Sequence, residues 1–243
     1  MRRSSLIFIY MVLVVAALTA CGSSPRSGGK AIGGSTDQGN AAEAVHKKTS
    51  DLSSRERTPP SRNVYTIVID PGHGGEDPGA TAVNGRFEKE FTLSMAQALA
   101  SLLEKDSRLQ VKLTRSDDTF ISTQDLFRPK FANEQRADLF ISIHGNTFGD
   151  PSVSGTESFY YHDQSLDLAN IIHKHVVMAT GFNDRGVKNA NYFVLRETQM
   201  PAVLLELGYL TNPENDENMW TPDFQQSAAS SIYKGIKEYL KLG

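Results

Sequence analysis

The stretch "IVIDPGHGGEDPGA", Ile67 to Ala80, decides how the rest of the chain is read. A continuous apolar run, Ile67-Val68-Ile69, passes through Asp70 into a turn where Pro71, Gly72, Gly74 and Gly75 surround His73, and Pro78 and Gly79 follow. An apolar run without polar alternation marks a strand covered on both faces. Glycines at its end allow backbone conformations that other residues resist, and a side chain held on such a turn can serve a rigid site. His73 is therefore expected at the end of a buried strand.

Working outward, "VYTIVID" (64–70), "LQVKLTR" (109–115), "DLFISIH" (138–144), "TESFYYH" (156–162), "NYFVLRE" (191–197) and "AVLLELG" (202–208) read as strands. Helices are expected over 88–105, where Phe91, Met95, Leu99 and Leu102 form one stripe, and over 165–179 and 223–242, which share that period. Strands alternating with helices predict an α/β fold: one domain over 64–243 with a layered sheet of about six mostly parallel strands flanked by helices. No internal repeat is visible.

Ahead of that domain, residues 1–20 carry Arg2 and Arg3 and then an apolar stretch from Leu6 to Ala20, short for a permanent membrane span. The stretch ends "LTAC", and small residues before a cysteine resemble the lipobox of bacterial lipoproteins. That resemblance implies cleavage before Cys21, lipid on its sulfur, a membrane anchor and an extracytoplasmic location in the bacterial cell envelope. An uncleaved N-terminal anchor and a secretory signal with an incidental cysteine are the plain alternatives, and each also exports the rest of the chain. Residues 22–63 are rich in Gly, Ser, Thr and charge and nearly free of large apolar groups, so 21–63 is expected to be a disordered linker behind the lipidated cysteine. A flexible linker of roughly 40 residues has a root-mean-square span of about 35 Å.

Cys21 is the only cysteine, so no intramolecular disulfide can form and an exported fold must stand on its core or on a metal. Without residues 1–20 the chain carries 23 Lys+Arg against 28 Asp+Glu. A mildly acidic chain without a basic run gives no footprint for nucleic acid, and none is expected as a partner.

Sites in open α/β sheets gather beyond the carboxyl ends of the strands. His73 ends the first strand and His144 the third, so they can meet although they lie 71 residues apart. Glu88 opens the helix after the glycine turn, where the helix dipole favours a carboxylate. Two imidazoles and one carboxylate are the ligand set of a catalytic zinc with its fourth position open. Glu206 is an acid inside an apolar strand and needs a partner or a task. Taken one at a time, His73 can be a turn residue, His144 a satisfied core histidine and Glu88 an ordinary helix-start acid. The spacing matches no HExxH or CxxC pattern.

The ordered blocks "IDPGHGGEDPGA", "EKEFTL", "VKLTR", "FANEQRADLFISIHGN", "GTESFYY" and "RGVKNANYFVLRETQMPAVLLELGYLTNPENDE" make the comparison specific. Together they resemble the zinc-dependent N-acetylmuramoyl-L-alanine amidases of the Amidase_3 type, a bacterial cell-wall hydrolase family. The resemblance covers nearly everything from Thr66 onward. It implies Zn2+ as cofactor, His73, Glu88 and His144 as its ligands, Glu206 as catalytic general base, and peptidoglycan as substrate. The bond implied joins the lactyl carboxyl of N-acetylmuramic acid to L-alanine of the stem peptide. Gly145 and Tyr209 depart from residues common in the family, but neither is a ligand position.

Asn146 and Arg185 are weaker candidates for substrate binding; a turn role and an ion pair are the plain alternatives. Arg115 and Arg136 share that alternative, while His162, His173 and His175 fall outside the ligand blocks. Only 61 residues lie between His144 and Glu206, and family blocks fill most of them. That leaves no space for the long inhibitory insertion of some relatives, so an open groove, no need for an activator and a monomer are expected. Competing classes are a zinc peptidase acting on another wall bond, a non-catalytic wall-binding lipoprotein, and a solute-binding lipoprotein. A single lobe is small for the last.

Overall fold

The computed structural model describes residues 64–243. The expectations for residues 1–20, Cys21 and the linker 21–63 lie outside the described residues. The strands are β1 (Tyr65–Pro71), β2 (Leu109–Leu113), β3 (Leu139–Asn146), β4 (Thr156–Tyr160), β5 (Asp184–Asn189) and β6 (Ala202–Tyr209). They form one sheet in the order β2-β1-β3-β6-β4-β5. Every neighbouring pair is parallel except β4 against β6. The helices are α1 (Glu88–Leu103), α2 (Phe127–Glu134), α3 (Leu166–Thr180), α4 (Phe193–Arg196), α5 (Pro213–Met219) and α6 (Pro222–Tyr239). None among the described residues is long and apolar enough to cross a membrane.

Both faces of the sheet are covered, which is why β1, β3 and β6 are apolar at successive positions. On one face Ile67, Ile69, Ile141, Ile143, Val203, Leu205 and Leu207 pack in a single core with α1, α3 and α6. On the other, Val68, Phe140, Phe159 and Leu204 form a smaller core with Ala132 of α2 and Val194 and Leu195 of α4. Side chains alternate along a strand, so this second face continues from Val68 to Asp70, from Phe140 to Ser142 and His144, and from Leu204 to Glu206. Antiparallel β4 contributes Phe159 and then, toward its start, Glu157. The thin face is thus apolar at one end and polar at the end where the parallel strands finish.

Two segments differ from expectation. Residues 191–197 do not form a strand: Phe193–Arg196 is a short helix that buries Val194 and Leu195 against the thin face. The fifth strand is instead Asp184–Asn189, "DRGVKN", paired only with β4 at the sheet margin. An edge strand needs no apolar run, and a short aromatic-rich stretch suits a helical turn or a strand equally. Helices α2 and α5 also go beyond the expectation. Helix α5 starts where Asn212 Oδ1 accepts from Asn215 N at 2.9 Å, with Pro213 as its first residue.

Candidate metal centre

At the exit of β1 the chain turns through His73, whose φ of +60° lies in the left-handed region. Gly72 is required there by contact: a Cβ at this position would stand 2.2 Å from Cε1 of His144, so the imidazole rests directly on the backbone. The chain then folds back until Glu88, the first residue of α1, reaches both rings. Glu88 Oε2 lies 3.1 Å from His73 Nε2, and Oε1 lies 3.0 Å from His144 Nδ1. The rings meet edge to face, with centroids 5.1 Å apart. One ligand atom from each of His73, Glu88 and His144 can be chosen so that all lie within 4.8 Å of one another, a group able to hold a metal ion.

Neighbouring groups fix the direction of each donor. His73 Nδ1 sits 2.9 Å from Asp77 Oδ2. With the Nδ1 proton donated to Asp77, Nε2 keeps its lone pair toward the cluster. Glu88 Oε2 accepts from Ala80 N at 3.0 Å, and Oε1 accepts from Gly145 N at 3.2 Å. Burial works against the charge of Glu88, but His144 and His73 outweigh it and hold the carboxyl well below the usual carboxylate range. Burial also opposes protonation of His73, yet Glu88 and Asp77 together push its imidazole up.

Beneath the turn lies a platform that sequence reasoning missed. Asp70 is fully buried and accepts from Arg128 Nη1 at 2.6 Å, Thr114 Oγ1 at 2.6 Å and Ser142 Oγ at 2.8 Å. Arg128 also donates to the carbonyls of Pro71 and His73, both at 2.7 Å. Arg115 donates to Pro71 O at 3.1 Å, Gly72 O at 2.8 Å and Lys89 O at 2.9 Å. It is therefore a bracket on backbone carbonyls. Asp70, an acid in an apolar run, carried the same signal as Glu206 and could have been found; Arg128 carried none, because its partner is 58 residues away.

Glu206 stands directly across from His144 in the β3–β6 pairing. Both line a cavity of about 270 Å³ together with Asp70, His73, Tyr192 and Phe193. Glu206 Oε2 is the one buried side-chain nitrogen or oxygen among the described residues that lacks a hydrogen-bond partner. Burial, reinforced by the charges of Glu88 and Glu157, pushes its carboxyl well above the usual range. A shielded carboxyl of this kind can take up a proton and return it.

Neither of the weaker candidates, Asn146 and Arg185, lines that cavity. Asn146 ends β3, and its Oδ1 accepts from Thr147 N at 2.7 Å. Arg185 Nε donates to Glu157 Oε1 at 2.6 Å on the outer side of β4. His173 is held between Ser158 Oγ and Asp184 Oδ1, both at 2.9 Å, while His162 meets Arg196 O and His175 meets Glu238.

Residues 67–238 match the family model described as N-acetylmuramoyl-L-alanine amidase, Amidase_3. The chain is 39% identical over 178 residues to the uncharacterized protein YqiI of Bacillus subtilis, covering 72% of this chain and 84% of that one. It is 36% identical over 177 residues to the probable cell wall amidase LytH of Staphylococcus aureus, covering 72% of this chain and 58% of LytH. Its fold superposes on the catalytic domain of CwlV, an N-acetylmuramoyl-L-alanine amidase from Bacillus (Paenibacillus) polymyxa var. colistinus, with a TM-score of 0.72. That match has 43% identity and covers 74% of this chain and all of the other.

Gly72→Ala would drive a methyl group into the His144 ring, so affinity of the cluster for a divalent metal, measured by chelator competition, should fall by at least about tenfold. Unchanged affinity would show that the ring does not need this contact. Asp70 is predicted to carry a pH-dependent share of stability. Burial raises its carboxyl, but Arg128, Thr114 and Ser142 bring it below its ordinary value. Its contribution is then complete above the unfolded-state value and lost as pH falls toward the folded one. Asp70→Asn should cost about 3–5 kcal/mol near neutrality in urea unfolding, with the gap to wild type narrowing below about pH 4. A gap independent of pH would contradict this.

Proposed function

The chain belongs to the Amidase_3 family of N-acetylmuramoyl-L-alanine amidases, and we propose that it hydrolyses peptidoglycan at the amide between N-acetylmuramic acid and L-alanine of the stem peptide. The observation that carries this is one cavity lined by His73 and His144, two members of a three-donor cluster with Glu88, and by Glu206, a buried carboxyl without a partner. Two imidazole nitrogens and a carboxylate oxygen are the donor chemistry of a catalytic zinc site. The close approach at Gly72 and the orienting bond from Asp77 support the same assignment. His73, Glu88 and His144 would hold the ion. When bound, zinc supplies Lewis-acid polarisation of the scissile carbonyl and acidifies water in its open position.

The remaining work belongs to the chain. Glu206 takes a proton from the attacking water and passes it to the departing alanine nitrogen. A carboxyl whose surroundings favour the protonated form is suited to that transfer, since it accepts the proton readily and still delivers it to a stronger base. Asp77 keeps His73 in one tautomer, and the Arg115–Arg128 platform keeps the turn from shifting. The side chains of His73 and His144 retain 24% and 18% exposure, which leaves the cluster reachable by a polymer. Hydrolysis is accordingly proposed to need no activator, and one chain supplies all four residues, as suits a monomer. The protein is proposed to act outside the cytoplasm, tethered through lipid on Cys21 and the linker 21–63.

Glu206→Gln should retain one zinc per chain while stem-peptide release from purified peptidoglycan, followed by product mass, drops by about 10²–10⁴-fold. Release at the parental rate would remove Glu206 from the mechanism. Release of fragments with the amide intact would instead identify a peptidase.

A further inference from the structure

The edge strand beside the catalytic face is bulged. Thr156 of β4 pairs with Asp184, but Ser158 pairs with Val187, so two steps on β4 match three on β5. Gly186, with φ +81°, absorbs the extra residue. In a regular strand Arg185 and Lys188, three apart, would point to opposite faces. The bulge turns both onto one acid: Arg185 Nε meets Glu157 Oε1 at 2.6 Å, and Lys188 Nζ meets Oε2 at 2.9 Å. The Tyr209 hydroxyl donates to the same carboxylate. Asp184, the other charge on this strand, is engaged by His173 instead.

One buried carboxylate is balanced by one cation, and here there are two. Glu157 keeps 5% side-chain exposure, whereas Arg185 and Lys188 keep 37% and 45%. The excess positive charge therefore faces solvent, and it does so next to the reaction site. Glu157 pairs directly with Glu206 across β4 and β6. Lys188 Nζ lies 5.9 Å from the centre of the Phe159 ring, and that ring packs against Tyr192, which lines the cavity.

Resting on the amidase assignment, the substrate has its charge on one side only. The glycan flanking the scissile amide is neutral, while the stem peptide bears carboxylates. The nearest is the α-carboxyl of its second residue, either free or amidated. Arg185 and Lys188 reach back from β5 to Glu157 on β4, one strand from Glu206. Neighbouring strands lie about 4.8 Å apart and one peptide residue spans about 3.5 Å, so a carboxyl borne one residue beyond the scissile nitrogen can reach their head groups. We propose that Arg185 and Lys188 form a carboxylate subsite for the stem peptide, favouring a free α-carboxylate at its second residue over the amide.

The test compares the full-length protein on two sets of glycan strands that differ only in that group. Wild type should prefer the free carboxylate by about five- to tenfold in kcat/KM, carried mainly by KM. Lys188→Gln should bring the ratio close to one, and Lys188→Arg should restore most of it. Equal use of both substrates by wild type overturns the proposal and needs no variant to show it. An equal loss on both substrates in Lys188→Gln also overturns it, because Lys188 would then only brace Glu157. Cleavage of neither by wild type removes the amidase assignment itself.

Discussion

Arg115 and Arg128 hold the carbonyls of Pro71, Gly72 and His73, and every functional distance in the protein depends on that grip. The turn contains a non-glycine residue with positive φ and a glycine pressed against an imidazole, conformations that a free loop would not keep. Two buried guanidinium groups fix it, one of them neutralised by Asp70 in the strand below. With the turn immobile, the His144 ring has one place to lie, and Glu88 can reach both imidazoles from the first turn of its helix. Rigid support of this kind holds the three donors close to one another.

The direction of the strands explains why the site forms where it does. β1, β3 and β6 run parallel and finish together, so His73, His144 and Glu206 arrive at one edge of the sheet. β4 runs the other way and brings its beginning, Glu157, to the same edge. The thin layer formed by α2 and α4 covers the apolar part of that face, and Arg128 of α2 reaches beyond it onto Asp70. The alternation that buries Val68, Phe140 and Leu204 continues there to Asp70, Ser142 and Glu206. Fold and site are two ends of the same strands.

That relationship also decides what could be read in advance. Buried strands are apolar at every position, so β1, β3 and β6 stood out, as did α1, α3 and α6 with their periodic stripes. His73, His144 and Glu206 drew attention because each ends or interrupts an apolar run, and Glu88 because it opens a helix; it was the family resemblance that joined the four into one expected site. Edge strand β5 was not, since its stability comes from backbone pairing with β4 and its side chains are polar. The segment around Phe193 was misleading because four residues of helix and a short buried strand use the same side chains. Arg128 and Lys188 act through distant partners, and no local pattern marks such residues.

X-ray absorption at the zinc edge on the purified protein probes the centre directly. Two imidazole nitrogens and one carboxylate oxygen should surround the ion at about 2.0–2.2 Å, with one zinc per chain. Substituting His73 or His144 should each remove one nitrogen from that shell. A zinc-free protein that still releases stem peptides in the presence of chelator, or a shell built from other residues, would contradict it.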